Sequence, residues 1–329
     1  MTPGRYPMRP FAPAFLLAAA AVVGIILASA RSAAAGTVVF LSDFGLKDGA
    51  VSAMKGVAHS VDPSLRLFDV THEVPPFNVW EGAFRLAQAA SYWPSNTVFV
   101  CIVDPGVGTD RLPVVHRTRS GHVFVGPDNG LFTLVDDALG HDRSYVIDAA
   151  RHRLPGSDAS YTFHGRDLFA HVGARMASGQ LALADVGQPA AKPPVRIPYP
   201  AATCKDGILS GVIPVLDVQY GNVWSNIGPD LVAEAGLRVG DDVEVTFLKR
   251  GRRVARLRAP FVQTFGSVPK GKPLVFVNSL LQLSVALNTD QLAARYKVGS
   301  GPDWSVQFKA LPSVASPSRS TRSTPKPKP

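Results

Sequence analysis

From Thr37 onward, short unbroken apolar runs alternate with stretches of helical period. Residues 37–41 (TVVFL) predict a buried strand that stops at the polar turn Ser42-Asp43-Phe44-Gly45. A helix is expected over about 51–60 and a strand over 65–70. Asn78 can cap a helix over 79–92, with Trp80, Phe84 and Ala87 on one face. The β-rich run 97–103 then ends at Asp104-Pro105-Gly106. Strand and helix in this alternation predict an α/β domain with mainly parallel pairing at the centre of its sheet. Runs at 114–116, 122–125 and 145–147 read as later strands, and 166–177 as one more helix.

The pattern changes over 189–200 (PAAKPPVRIPYP), a Pro-dense stretch suited to an interdomain linker. Beyond it, strand-rich segments at 207–218, 242–248, 253–259 and 273–278 predict a smaller, mostly β domain, expected to be barrel-like, with a sandwich as the alternative. The expected plan is an N-terminal α/β domain over 36–190, a linker over 191–204 and a C-terminal β domain over 205–311.

Both ends stand apart from this plan. Residues 1–35 read as a signal peptide: Arg5 and Arg9 precede an apolar run over 14–28, and small residues offer cleavage after Ala30 or Ala35. The run is shorter than the ~20 residues of a spanning helix. Export to the periplasm is expected, with a membrane anchor only if the leader is retained. Residues 312–329 form a Ser/Pro/Lys/Arg-rich tail without apolar period, expected to be disordered.

The formal charge of +9 shrinks once Arg5, Arg9, Arg31, Arg319, Arg322, Lys326 and Lys328 are assigned to those ends: removing seven leaves +2 for the body. That argues against a nucleic-acid partner. Two cysteines exclude a disulfide-rich scaffold and a four-thiolate zinc site. In an exported protein Cys101 and Cys204 could pair, yet Cys101 sits in an apolar run and reads as a small core residue; the sequence leaves the pairing open. The eight histidines show no paired ligand spacing, so no metal is expected. No phosphate-cradling loop is present, and the Asp-Phe-Gly triplet lacks the other parts of a kinase.

Chemistry concentrates at strand ends, where α/β sheets bind ligands. Asp43 follows the first strand, Asp69, Thr71 and His72 the second, and Asp104 the third. Residues 162–167 (TFHGRD) set His164 beside Gly165 just before a helix, with Arg166 or Asp167 placed to tune the imidazole.

These segments, taken in order, resemble one family. Ser42–Gly45 with Asp48, Met54-Lys55-Gly56, Asp69–His72, Asp104–Gly108 with Arg111, Gly126–Leu131, Thr162–Asp167, Gly221–Ile227 and Asn278-Ser279 are similar to the S-adenosyl-L-methionine (SAM) hydroxide adenosyltransferases, relatives of the SAM-dependent fluorinases and chlorinases. The resemblance runs from about Thr37 to about Lys309. It implies an α/β domain followed by a smaller β domain, and a homotrimer whose sites lie between the N-terminal domain of one subunit and the C-terminal domain of the next.

By position, Asp104, Arg111 and His164 match the triad that handles the nucleophilic water; halogenase members differ at all three places. Asp43 matches the carboxylate on the ribose hydroxyls, Phe77 an aromatic near the ribose, and Asp217 the group receiving the methionine ammonium. Asn222 matches the adenine reader, and Ser279 lies where the methionine carboxylate binds. Leu280 replaces the arginine that follows that serine in fluorinases. Asp48 and Gly165 belong to the substrate-binding set through the same motifs. The implied activity is hydrolysis of SAM, as substrate and with no cofactor, to adenosine and methionine. The alternatives are a SAM-dependent halogenase and a non-catalytic exported nucleoside-binding protein.

Overall fold

The computed structural model describes residues 36–312. The expected leader over 1–35 and the tail from 313 onward lie outside them.

Strands β1 (Thr37–Ser42), β2 (Arg66–Thr71), β3 (Val98–Ile102), β4 (Pro113–Thr118), β5 (Val123–Pro127), β6 (His141–Ile147) and β7 (Gly187–Pro189) form one sheet. Their order is β2-β1-β3-β5-β4-β6-β7. The first four pair in parallel, while β4, β6 and β7 join antiparallel. Parallel pairing thus fills one half of the sheet. The other half departs from it because β4 and β5 are joined by a tight turn, closed by the Thr118 amide on the His122 carbonyl. So short a connection permits only an antiparallel hairpin.

The unbroken apolar runs have a simple cause: both faces of the parallel half are covered. Val38, Phe40, Val98 and Val100 pack on one side with Met54 of helix α1 (Ala50–Val61) and with Phe169 and Val172. Val39, Leu41, Phe99 and Cys101 pack on the other with Ala83 and Leu86 of helix α2 (Val79–Ala90) and Val135 of helix α3 (Thr133–Leu139). Asn78 caps α2, its side chain accepting the Glu81 amide at 3.1 Å. The single helix expected over 166–177 is two pieces. A π-helical segment, Gly165–Ala170, runs into helix α5 (His171–Ala177), while the one-turn helix α4 (Ala149–His152) lies upstream. A wide turn of this kind is frequent where a side chain is aimed for function.

The Pro-dense connection is fastened to the first domain. The Val195 amide donates to Asp128 (2.9 Å), the Ile197 amide to Thr133 Oγ1 (3.0 Å), and the Tyr199 ring lies 5.3 Å from that of Trp80. Burial pushes the Tyr199 hydroxyl up to about 12. Trp80 Nε1 in turn donates to the Pro214 carbonyl of the second domain at 2.7 Å.

That domain has two sheets. β13 (Arg252–Pro260), β12 (Asp242–Lys249), β16 (Trp304–Ala310), β9 (Ile208–Val212) and β8 (Thr203–Lys205) lie in that spatial order. β10 (Leu216–Asp217), β11 (Asn222–Trp224), β15 (Leu283–Leu287) and β14 (Pro273–Val277) form the other. Leu209, Val245, Phe247 and Phe308 from the first sheet meet Val223, Val275 and Val285 from the second in one core. The barrel-like form expected is not the one built: two separate sheets face each other across one core, so the domain is a sandwich. Cys101 and Cys204 are free thiols, the former deep in the first domain, where burial pushes its thiol up.

Candidate active site

Strands β1 and β3 pair through to Ser42 and Ile102, so Asp43 and Asp104 both leave the sheet at its C-terminal edge, within a residue of the same level. After β3 the chain turns sharply. The Val107 amide bonds the Asp104 carbonyl, and the Thr109 amide and hydroxyl bond the Gly106 carbonyl. Arg111 is thereby folded back over Gly106, where an added Cβ would stand 3.1 Å from Arg111 Cγ.

The result is a fork on a carboxylate. Arg111 Nε lies 3.0 Å from both Asp104 oxygens, and Nη2 lies 2.5 Å from Oδ2. The side chains are only 9% and 6% exposed, so the attraction acts at low dielectric and demands the fork geometry that offsets desolvation. Nη2 also donates to His164 Nδ1 at 2.8 Å, and the guanidinium carbon lies 5.2 Å from the Phe169 ring. Guanidinium groups donate and never accept. His164 Nδ1 is therefore the acceptor, and a neutral ring carries its proton on Nε2. Burial holds His164 below the usual imidazole range, reinforced by the charges of Arg111 and Arg153 and opposed by Asp104 and Asp167. Arg166, one of the two residues expected to tune the ring, is instead spent on Asp167 at 2.6 Å and lies over Phe163.

The turn after β1 is set from behind by a relay absent from the sequence reading. Lys55 Nζ donates to Asp69 Oδ2 (2.6 Å), His72 Nε2 to Asp69 Oδ1 (3.1 Å), and Ser42 Oγ to His72 Nδ1 (2.7 Å). The Gly45 amide closes the turn on the His72 carbonyl at 2.7 Å. Burial lowers the His72 pKa against the pull of Asp69. Asp69 thus supports Asp43 from behind the turn. The spacing of Lys55 and Asp69, fourteen residues apart on adjacent elements, carries no sequence signal.

Asp43 Oδ2 accepts the Phe77 amide at 2.8 Å. Phe77 has φ 66° and a ring 72% exposed, a left-handed conformation that costs a residue with Cβ about 1–3 kcal/mol. Asp48 Oδ1 accepts the Ala50 amide and starts α1. Gly165 lies between Phe44 and Phe163, whose rings meet edge-on at 5.5 Å; a Cβ there would be 3.2 Å from both. That contact sets the Asp43 turn against the His164 turn.

Asp217, Asn222 and Ser279 sit elsewhere. Asn222 Nδ2 donates to Asp217 Oδ2 across β10–β11 at 2.9 Å. With Ser279, Trp224, Phe265 and Phe276 they line a cavity of about 830 Å³ whose walls all belong to the second domain. The sequence-derived residues therefore fall into two groups, a charged trio beside Asp43 and Phe77, and a largely apolar pocket with an amide and a carboxylate. Among the described residues, no group of three or more His, Cys, Asp or Glu side chains is placed to hold a metal ion.

Comparison with known proteins covers both groups. Residues 38–187 match the SAM hydroxide adenosyltransferase N-terminal domain and 211–305 its C-terminal domain. The (R)-S-adenosyl-L-methionine hydrolase of Salinispora tropica is 43% identical over 257 residues, 77% of this chain and 91% of that protein. A fluorinase of an Actinoplanes species is 28% identical, covering 80% of this chain and 95% of that one. A crystal structure of a conserved protein from Thermotoga maritima superposes with a TM-score of 0.76 at 33% identity, over 83% of this chain and 99% of the other. With both halves of the family's architecture matched in order, the chain belongs to the SAM hydroxide adenosyltransferase family.

Proposed function

We propose that this protein hydrolyses S-adenosyl-L-methionine, as the (R)-sulfonium epimer named for its relatives, to adenosine and L-methionine. The observation that carries the reading is the buried Asp104–Arg111–His164 trio at the strand ends. Water attacks the ribose C5′, the C5′–S bond breaks, and its electron pair leaves on sulfur, which becomes a neutral thioether. The sulfonium already activates that carbon, so the protein's tasks are to orient water in line and to take its proton. His164 donates through Nε2–H to the water oxygen, Arg111 stabilises hydroxide character, and the Asp104 carboxylate receives the proton. Positive sulfonium and developing hydroxide neutralise each other, a change favoured by so buried a setting.

Asp43 faces the ribose hydroxyls beside Phe77. Asp217, Asn222 and Ser279 receive the ammonium, the adenine edge and the carboxylate of the substrate. Since the two groups lie on separate domains, and the cavity takes no wall from the first, the reading includes a homotrimer in which one subunit's trio meets the next subunit's cavity. Exposed Leu46, Phe77, Val218, Tyr220 and Leu281 around the two groups are the apolar surface such a junction would bury. Export through the residue 1–35 leader, with action in the periplasm, completes the proposal.

The test is incubation of purified protein with each sulfonium epimer in ¹⁸O-water. Label in the adenosine 5′-hydroxyl is expected from the (R) epimer. Unlabelled or absent adenosine overturns the reading, and halide-dependent 5′-halo-adenosine would replace it with a halogenase.

A further inference from the structure

We propose that Arg153 is a positioning residue of this site: it clamps the 154–163 loop onto the buried Asp167 carboxylate and so fixes His164 against Arg111. The inference rests on the hydrolase reading for its kinetic part alone.

Arg153 caps the C-terminus of the one-turn helix α4, eleven residues before His164, and its side chain is only 10% exposed. Its guanidinium reaches three features of the loop that delivers the histidine, and one carboxylate beyond it. It donates to the Ser157 carbonyl through Nε and Nη2, and to the Ser160 carbonyl through Nη2. It lies 4.4 Å from the Tyr161 ring, and Nη2 stands 3.6 Å from Asp167 Oδ2. Asp167 is fully buried within the π-helical segment that starts immediately after His164. Its backbone holds both ends of the loop, the carbonyl accepting the Leu154 amide (2.7 Å) and the amide donating to the Phe163 carbonyl (3.0 Å).

The loop itself has little else to hold it. Pro155, Gly156 and 158–162 are exposed, and its internal bonds are short-range turns through Ser157 and Ser160. Arg166 forks the Asp167 carboxylate at 2.6 and 3.1 Å, and Arg153 adds a second positive charge beside it. One planar, five-donor group that also bonds two carbonyls and lies on a ring face does what an ammonium cannot duplicate. The clamp has an electrostatic side too. The charged groups facing His164 are Arg111 and Asp104 from the turn after β3, Asp167 from the π-helical segment and Arg153 from beyond α4. Arg153 is the second cation that keeps the ring neutral, and so keeps Nδ1 open to Arg111.

Two substitutions separate geometry from charge. Arg153→Met should lower kcat about 10- to 100-fold, the scale of a misplaced catalytic group, with KM within about twofold. It should also move the acid limb of the rate profile to higher pH, since the protonated ring loses a repelling neighbour. Arg153→Lys keeps the charge but not the fork; kcat should fall while the acid limb stays near its wild-type position. Independently of turnover, ¹⁵N-histidine NMR of the whole protein, assigned with His164→Gln, should show the His164 titration moving upward in Arg153→Met and its Nδ1-acceptor signature weakening.

Wild-type kcat and an unmoved His164 signature in Arg153→Met would overturn the proposal. So would a loss of activity that follows a fall in Tm without any shift in either titration. If the wild-type protein makes no adenosine, the hydrolase reading fails, and the NMR comparison still decides the role of Arg153.

Discussion

At Asp104 a carboxylate is held by three contacts to one guanidinium, and that guanidinium is shared with His164. Asp104→Asn keeps the shape and removes the proposed proton acceptor. Its kcat should fall about 10²–10⁴-fold, the usual contribution of a general base, while adenosine binding measured by calorimetry changes little. Protonation of His164 turns Nδ1 into a donor facing a cation, so the proposed mechanism requires the neutral ring. Because burial and the two arginines depress its pKa below 6.5, kcat/KM should stay flat down through neutrality and fall only below that value, a profile read directly by initial rates. Asp104 and His164 stand out in the sequence because one follows a strand and the other precedes a helix; Arg111, in the loop between β3 and β4, is singled out only through the family resemblance. Arg153, and the relay from Lys55 to Ser42, are not legible there. Their roles arise only when adjacent elements bring distant side chains within 4 Å, and no local spacing records that.

Elements were easier to read where one physical rule dominated. Strands β1 and β3, apolar on both faces, and α2, with its Asn78 cap and apolar stripe, lie within a residue or two of their expected limits. The π-helical segment was invisible because its apolar residues fit an α-helical period just as well. What makes it necessary is packing: Gly165 must pass between two phenyl rings and leave His164 turned toward Arg111. Gly165→Ala should therefore cost about 1–3 kcal/mol, as overpacking does, lowering Tm in thermal melts. The larger effect should be on kcat, because the same contact aligns the two turns of the site. The antiparallel half of the sheet escaped notice because the runs read at 114–116, 122–125 and 145–147 were not paired with one another, although the short connection between the first two already calls for a hairpin.

For the molecule as a whole, the two-domain plan followed from a single compositional break, but the separation of the trio from the cavity did not. That separation makes the proposed trimer testable without a structure of it. Asp104→Ala disables only the first domain's contribution and Asn222→Ala only the second's. Co-expressed in equal amounts and purified as mixed trimers, two inactive chains should recover roughly a third of wild-type activity, because one junction in each mixed ring of three would join an intact trio to an intact cavity. No recovery, with subunit exchange verified by mass spectrometry, would mean that each site is built within one chain.

The strap between the domains bears on the same question. With Val195 and Ile197 tied by their amides, Tyr199 laid on Trp80 and the Trp80 indole bonded to Pro214, the crossing is pinned along its length rather than hinged. A clamshell that shut on its cargo would need slack there. A chain so stiffened behaves as a preset half-mould, ready to be completed by contact, and its catalytic competence would track how crowded it is with its own kind rather than any breathing of its own.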